Sequence, residues 1–158
     1  MNVTVISVGT LKEKYLLDAI AEYKKRLCVY ARVDEIQIKE EIIHNEDDRG
    51  QIADALEREG EKILRAIPKD AYKIALCVEG VGYDSVKLAE MIRGGAAQSG
   101  KLALVIGSSH GLSETVKRAC DLRLSISKLT FPHQLMRVLL MEILYRSFTI
   151  LAGKRYHK

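Results

Sequence analysis

Only three cysteines occur in the 158 residues, and Cys28, Cys77 and Cys120 lie far apart with no C-x-x-C spacing. An odd, scattered set argues against a disulfide framework and against structural zinc, and is expected to supply buried free thiols. No uncharged apolar run approaches the ~18 residues of a membrane span. The opening MNVTVISVGTLKEK has no basic stretch ahead of its short apolar run. It reads as a strand leading into a helix, not as a signal peptide, so the cytoplasm is the expected location. Tryptophan is absent and phenylalanine occurs twice, so few rings are on hand to stack on bases and strong binding of naked RNA is not required of the chain. Repeats, low-complexity stretches and an obvious linker are also missing. Residues 1–158 are therefore expected to form one domain.

What is present fits a soluble globular protein. The hydrophobic fraction is 47% and the mean hydropathy −0.04, and a chain of this length can bury roughly 70% of its unfolded surface. The net charge of +4 conceals an asymmetry. Residues 117–158 carry nine Lys/Arg against two acids, Asp121 and Glu142, a net charge of +7 that leaves −3 for the remainder. A basic third on a slightly acidic body suggests an anionic partner such as nucleic acid.

Strands and helices alternate along the chain. VTVISVG (3–9) is β-branched and ends in glycine, a buried strand. The following LKEKYLLDAIAEYKKRLCVY puts Leu16, Ile20, Tyr23 and Leu27 on one helical face. VDEIQIKE (33–40) alternates as a second strand. QIADALEREGEKILRAI places Ile52, Leu56, Ile63 and Ile67 on one face and ends at Pro68. YKIALCVEG (72–80) and KLALVIG (101–107) are strands three and four. Between them lies VKLAEMIRG, a helix that Asp84 or Ser85 can cap. A short helix ETVKRAC precedes a fifth strand, DLRLSIS (121–127), and a last helix runs to about residue 152. The pattern predicts an α/β fold, a single mostly parallel sheet flanked by helices. Ligands in such folds sit at the carboxyl ends of strands. The site is therefore expected in the loops after strands three, four and five, at Leu76–Ser85, Gly107–Leu112 and Ile126–His133.

The last helix is apolar almost all round, with Glu142, Arg146 and Thr149 on one narrow stripe and Arg137 roughly opposite. Such a helix is buried on several sides, and another subunit is a candidate cover for one of them. The Arg137 guanidinium needs a partner there, structural or functional. GSSHG (107–111) matches G-x-S-x-G between a strand and a helix. With Asp121 and then His133 or His157 it allows a serine hydrolase. Against that, the chain is small for the hydrolase fold and lacks an HGGG-like oxyanion segment. The other reading is a Gly-Ser turn that a ligand approaches closely. His44, His110, His133 and His157 show no metal spacing, and His133 after Pro132 is expected to cap the last helix. The terminal GKRYHK reads either as a solubilising tail or as part of a site.

Four stretches together carry a resemblance: VISVGTLKEKYLLDAIAEYKKRL (5–27), LVIGSSHGL (104–112), SISKLTFPHQLMRVLLMEILYRSFTI (125–150) and GKRYHK (153–158). The chain resembles, over essentially its whole length, the ribosomal RNA large subunit methyltransferase H family, SPOUT-class enzymes that modify large-subunit rRNA. Ser108 stands where that family usually has a second glycine, and Val81 where it commonly has lysine. Asp84 and Arg155 likewise replace a serine and a proline of the pattern.

The resemblance implies a SPOUT-type fold with a C-terminal trefoil knot and a homodimer. It implies S-adenosylmethionine as cofactor, held by Leu76, Gly107, Ile126, Ser127, Lys128, Leu129, Thr130 and Phe131. The implied substrate is 23S rRNA within the 70S ribosome, methylated at N3 of a pseudouridine, with no metal and no membrane involved. His157 is then the candidate base, because imidazole titrates near ~6.5. Tyr156 and Arg137 join it as catalytic candidates, and Lys154, Arg155 and Lys158 as RNA-binding ones. A non-catalytic ribosome-binding module is a further reading, and the intact Leu76, Gly107 and ISKLTF set argues against it.

Overall fold

The structure, a computed structural model, describes residues 1–156. In chain order it runs β1 (Asn2–Val8), α1 (Lys14–Leu27), β2 (Arg32–Ile38), α2 (Arg49–Ala66) and β3 (Tyr72–Val81). Then follow α3 (Ser85–Gly95), β4 (Lys101–Ile106), α4 (Glu114–Ala119), β5 (Leu122–Leu124) and α5 (His133–Leu151). The five strands form one sheet in the order β2-β1-β4-β3-β5. Every pairing is parallel, as the alternation of strands and helices predicted.

Alternation along the strands sorts the core into two layers. Val3, Val5, Leu102, Leu104, Ile74 and Leu124 pack with α1, α3 and α5 on one face. Ile6, Val8, Val105 and Ala75 pack with Ile63 of α2 and Val116 of α4 on the other. β1 and β4, at the centre, are apolar nearly without interruption because both of their faces are covered.

Three expectations need correction. The fifth strand spans 122–124 only, because the chain leaves the ladder after Leu124 to wrap the site described below. The inner face of α2 consists of Ala55, Glu59, Gly60 and Ile63, while Ile52, Leu56 and Ile67 sit at its half-buried margins. The thiols are not all buried. Cys28 is exposed at the end of α1, and Cys77 and Cys120 are intermediate. Burial pushes the Cys120 thiol up to about 11, which leaves about one thiolate in a thousand at pH 8. A disulfide reagent at that pH is therefore expected to modify Cys28 first, and Cys28→Ser to remove the fast phase. Fast labelling of Cys120 would contradict this placement.

Local capping explains where helices start. Asp48 caps α2 through Gly50 N and Gln51 N, and Ser113 caps α4 through Val116 N. Of the two candidates for α3, Asp84 is the cap, its carboxylate accepting the Lys87 N–H at 2.7 Å. Asp84→Ala is expected to cost about 1 kcal/mol, read as a lower urea midpoint at unchanged slope. No described helix is long and apolar enough to cross a membrane.

Candidate functional site

The site begins with a break in the sheet. β3 pairs with β5 as far as Leu76↔Leu124, and the register then shifts so that Val81 meets Leu124 instead. Residues 77–80 drop out of the ladder, and Cys77, Val78 and Glu79 turn to line a cavity of about 460 Å³. The exit of β5 crosses this segment at Gly80, where a Cβ would stand 2.7 Å from the Arg123 carbonyl oxygen. Only glycine allows that crossing.

The second wall is the turn after β4. Ser108 and Gly111 form an isolated antiparallel bridge, and the Gly111 N–H donates to the Ser108 carbonyl at 3.0 Å. The turn folds back so tightly that a Cβ on Gly107 would lie 2.0 Å from the Gly111 carbonyl oxygen. The third wall is the segment after β5. Its own hydroxyls shape it, with Ser125 Oγ donating to Ser127 O at 3.1 Å and the Leu129 N–H donating to Ser127 Oγ at 2.9 Å. That local bonding competes with strand pairing and accounts for the early end of β5.

These walls bring together Leu76, Gly107, Ile126, Ser127, Leu129, Thr130 and Phe131. Lys128 is exposed and does not line the cavity. The lining also holds residues that the sequence did not single out for ligand binding, among them Glu79, His110, Lys117 and Met136. Lys117 pairs with Glu79 and, at 3.0 Å, with Glu114. The Lys117 ammonium holds the Glu79 carboxyl below the usual carboxylate range. His133 is also in the lining. It does not cap α5, whose N-cap is Pro132 with no side-chain cap bond.

The hydrolase constellation is not assembled among the described residues. Ser109 Oγ lies 3.2 Å from His110 Nδ1. Asp121 is at the opposite end of the sheet, where its carboxylate accepts the Lys73 N–H at 2.8 Å. Among the described residues, therefore, no aspartate orients a histidine beside Ser109 as a triad requires. Among the described residues no group of three or more His, Cys, Asp or Glu is placed to hold a metal ion.

Arg137 and residues 154–156 lie elsewhere. Arg137 is only 3% exposed, with its guanidinium 3.4 Å from Glu35 of β2 and its Nε unpaired. It is not in the cavity lining. Tyr156 seats itself on the polar stripe of α5. Its hydroxyl donates to Glu142 at 3.0 Å, Arg146 lies over its ring at 4.9 Å, and its edge meets Tyr145 at 4.9 Å. Burial and the Glu142 carboxylate raise the Tyr156 pKa, so its hydroxyl stays protonated as a donor. Tyr23, in the same aromatic group, is pushed up to about 12 by burial and by Glu142. Lys154 stands 5.4 Å from the Tyr30 ring, and Arg155 is exposed. His157 and Lys158 lie outside the described residues. Residues 154–156 are thus ordered on α5, away from their own cavity.

Fold and site together define a parallel α/β protein with a mainly apolar, mid-sized ligand cavity at its strand carboxyl ends, next to a backbone cradle that excludes even a methyl group. A family model described as "Predicted SPOUT methyltransferase" matches residues 1–157, and the chain belongs to the SPOUT methyltransferase family. It is 47% identical over 156 residues to the "Ribosomal RNA large subunit methyltransferase H" of Caldicellulosiruptor bescii, covering 99% of both chains. It is 46% identical over 159 residues to the protein of the same name from Shouchella clausii, covering 100% of both. A solved structure described as "Structural insights into the 2-OH methylation of C/U34 on tRNA" superposes with a TM-score of 0.52 at 14% identity. That superposition covers 97% of this chain and 98% of the other, a likeness of fold.

Proposed function

We propose that this chain is an S-adenosylmethionine-dependent methyltransferase acting on 23S rRNA, at N3 of a pseudouridine, on the assembled 70S ribosome in the cytoplasm. The observation that carries the reading is the cavity itself. In a chain of the SPOUT methyltransferase family, three separate strand ends meet to enclose Leu76, Gly107 and the 126–131 segment. The residues present fit the methyl donor. Leu76, Ile126, Leu129 and Phe131 offer apolar surface to an adenine and a thioether, and backbone groups of Ser127 and Thr130 are at hand for polar edges. Gly107 lets the ligand approach the main chain. The close crossing at Gly80 supports the knotted C-terminal half that the resemblance implied.

Bound S-adenosylmethionine supplies an electrophilic methyl carbon on a sulfonium. The chain's part is to exclude water, align the acceptor and manage a proton, because N3 of a pseudouridine carries one and its lone pair is not free. His157 is the base in this reading, with Tyr156 donating a hydrogen bond or stacking on a base. Lys154, Arg155 and Lys158 hold phosphate, and exposed Lys128 beside the cavity extends that surface. Since residues 154–156 dock on α5 and not over their own cavity, the tail serves the cavity of a second copy. The homodimer this requires is supported by α5, where Leu139 and Ile150 remain half-exposed on either side of the Glu142–Arg146 pair.

The test is methyl transfer from radiolabelled S-adenosylmethionine to 70S ribosomes, 50S subunits and naked 23S rRNA from a strain lacking the activity. Label on one pseudouridine, strongest with 70S particles, is the expected result. No label on any substrate, together with no binding of S-adenosylmethionine, would overturn the reading.

A further inference from the structure

Two charged residues of the cavity have no part in the chemistry above. Among the described lining residues Glu79 is the only carboxylate and Lys117 the only lysine or arginine. Glu79 comes from the end of β3 and Lys117 from α4, and the two side chains pair with each other. Two contacts fix where the Glu79 carboxylate stands. At the next residue the main chain is pressed on the exit of β5, since a Cβ on Gly80 would lie 2.7 Å from the Leu124 carbonyl carbon. At the end of the side chain, Glu79 Oε1 accepts from Lys117 Nζ.

Lys117 is itself held. Its side chain is only 13% exposed, and Glu114 takes the same ammonium at 3.0 Å. Arg123 Nε donates to the Lys117 carbonyl oxygen at 3.3 Å, and the Arg123 guanidinium stands 3.6 Å from Glu114. Two acids and two bases thus form one charge-balanced group. Glu79 is its member with room for a ligand, because its side chain lines the cavity and remains 53% exposed.

We infer that Glu79 is a specificity-determining residue of the cavity, its carboxylate accepting hydrogen bonds from the vicinal ribose hydroxyls of the methyl donor. The inference rests on the reading of the cavity as the methyl-donor site. A carboxylate offers about four lone-pair positions, of which Lys117 fills one, so acceptor capacity is left over. The ligand has three sets of donors: the adenine amine, the ribose diol and the α-ammonium. The adenine belongs with the apolar wall of Leu76, Ile126, Leu129 and Phe131. An α-ammonium on Glu79 would crowd a second cation against Lys117 on one carboxylate, and like charges at that distance repel. Neutral hydroxyls meet no such repulsion and gain charge-assisted bonds. A carboxylate at the carboxyl end of a parallel strand is also the usual receiver of a ribose hydroxyl in dinucleotide-binding sheets. The Lys117 ammonium holds the Glu79 carboxyl below the usual carboxylate range, which keeps it an ionised acceptor at neutral pH.

The experiment is calorimetric titration of the full-length protein with S-adenosylhomocysteine and with its 2′,3′-dideoxy analogue. Glu79→Ala is expected to weaken S-adenosylhomocysteine by ~10- to 100-fold, the range for hydrogen bonds to a charged group. Wild type should bind the dideoxy analogue more weakly by a similar factor, and Glu79→Ala should bind that analogue within about twofold of wild type. 5′-Methylthioadenosine keeps the ribose and lacks the amino acid, so it should show the same loss in Glu79→Ala as S-adenosylhomocysteine. Glu79→Gln retains one neutral acceptor and should fall between wild type and Glu79→Ala. It carries the same comparison if Glu79→Ala does not fold. Equal weakening of all three ligands would make Glu79 merely structural and overturn the inference. A loss confined to the two ligands that carry the amino acid would place the carboxylate on the α-ammonium and overturn it too. Unchanged affinity in both variants overturns it and leaves the methyl-donor reading intact. Absence of binding of all three ligands by wild type overturns both.

Discussion

Gly107→Ala is expected to abolish methyl-donor binding while leaving a folded protein. The new Cβ would sit 2.0 Å from the Gly111 carbonyl oxygen and 2.4 Å from its carbon. Both are main-chain atoms, so no side chain can swing away, and the turn itself must open. The bridge between Ser108 and Gly111 breaks first. A displacement of ~1 Å at a binding wall costs roughly 100-fold in function, and steric overlap against backbone costs about 2–4 kcal/mol of stability. Affinity for S-adenosylhomocysteine should accordingly drop by at least ~100-fold. The circular dichroism spectrum should remain close to that of the wild type, since of the two core layers only Ile106 and Leu112 flank the turn. A variant that bound within about threefold of wild type would show that the turn is not the cradle of the cavity.

Removal of residues 154–158 is expected to separate binding from chemistry. Within the described part of the tail, Tyr156 touches its own chain at α5, through Glu142, Arg146 and Tyr145, and residues 154–156 do not line its cavity. Cofactor affinity should therefore stay within about twofold, with a stability loss of about 1 kcal/mol from the Tyr145–Tyr156 contact. Transfer to ribosomes should fall by ~100- to 10,000-fold, the usual contribution of a positioned acid or base. Two point variants divide that loss. His157→Ala should carry most of it and change the pH dependence of single-turnover rates. Tyr156→Phe removes only the bond to Glu142 and should act mainly by freeing the tail. A truncated protein that methylated ribosomes at close to the full rate would remove the tail from the mechanism. Mixing a tail-less chain with one carrying Gly107→Ala tests the exchange between subunits. In a heterodimer one intact cavity then meets one intact tail, and recovered activity is expected.

Much of this was legible in the linear chain. Local periodicity identified every element, because a parallel sheet covered on both faces needs uninterrupted apolar strands such as KLALVI and half-apolar helices such as α1. The site loops could be located as well, since in a parallel sheet the strand carboxyl ends all point one way. Of the expected stripe of Glu142, Arg146 and Thr149, the first two form the polar surface and Thr149 is buried, its hydroxyl turned onto the Arg146 carbonyl; the occupant, Tyr156, was not visible in the spacing. The length of β5 was misjudged because DLRLSIS alternates correctly throughout. Serine hydroxyls in 125–127 bond to nearby backbone groups, and this local bonding overrides the alternation. Within EREGEK nothing in the spacing marks Glu59 as buried.

The residues by themselves determined the succession of strands and helices, the parallel class of the sheet and the three loops that build the cavity. These depend on spacing within ten or so neighbours, where backbone geometry and the pattern of apolar side chains dictate the outcome. Only the tertiary structure decided the strand order β2-β1-β4-β3-β5, the register break at Leu76/Val81, the burial of Glu59 within α2 and the seat of Tyr156 on α5. Each of these joins segments far apart in sequence. Which distant partner a side chain meets is settled by the packing of the whole molecule, where burial turns a carboxylate, a glycine or a tyrosine into a constrained chemical group.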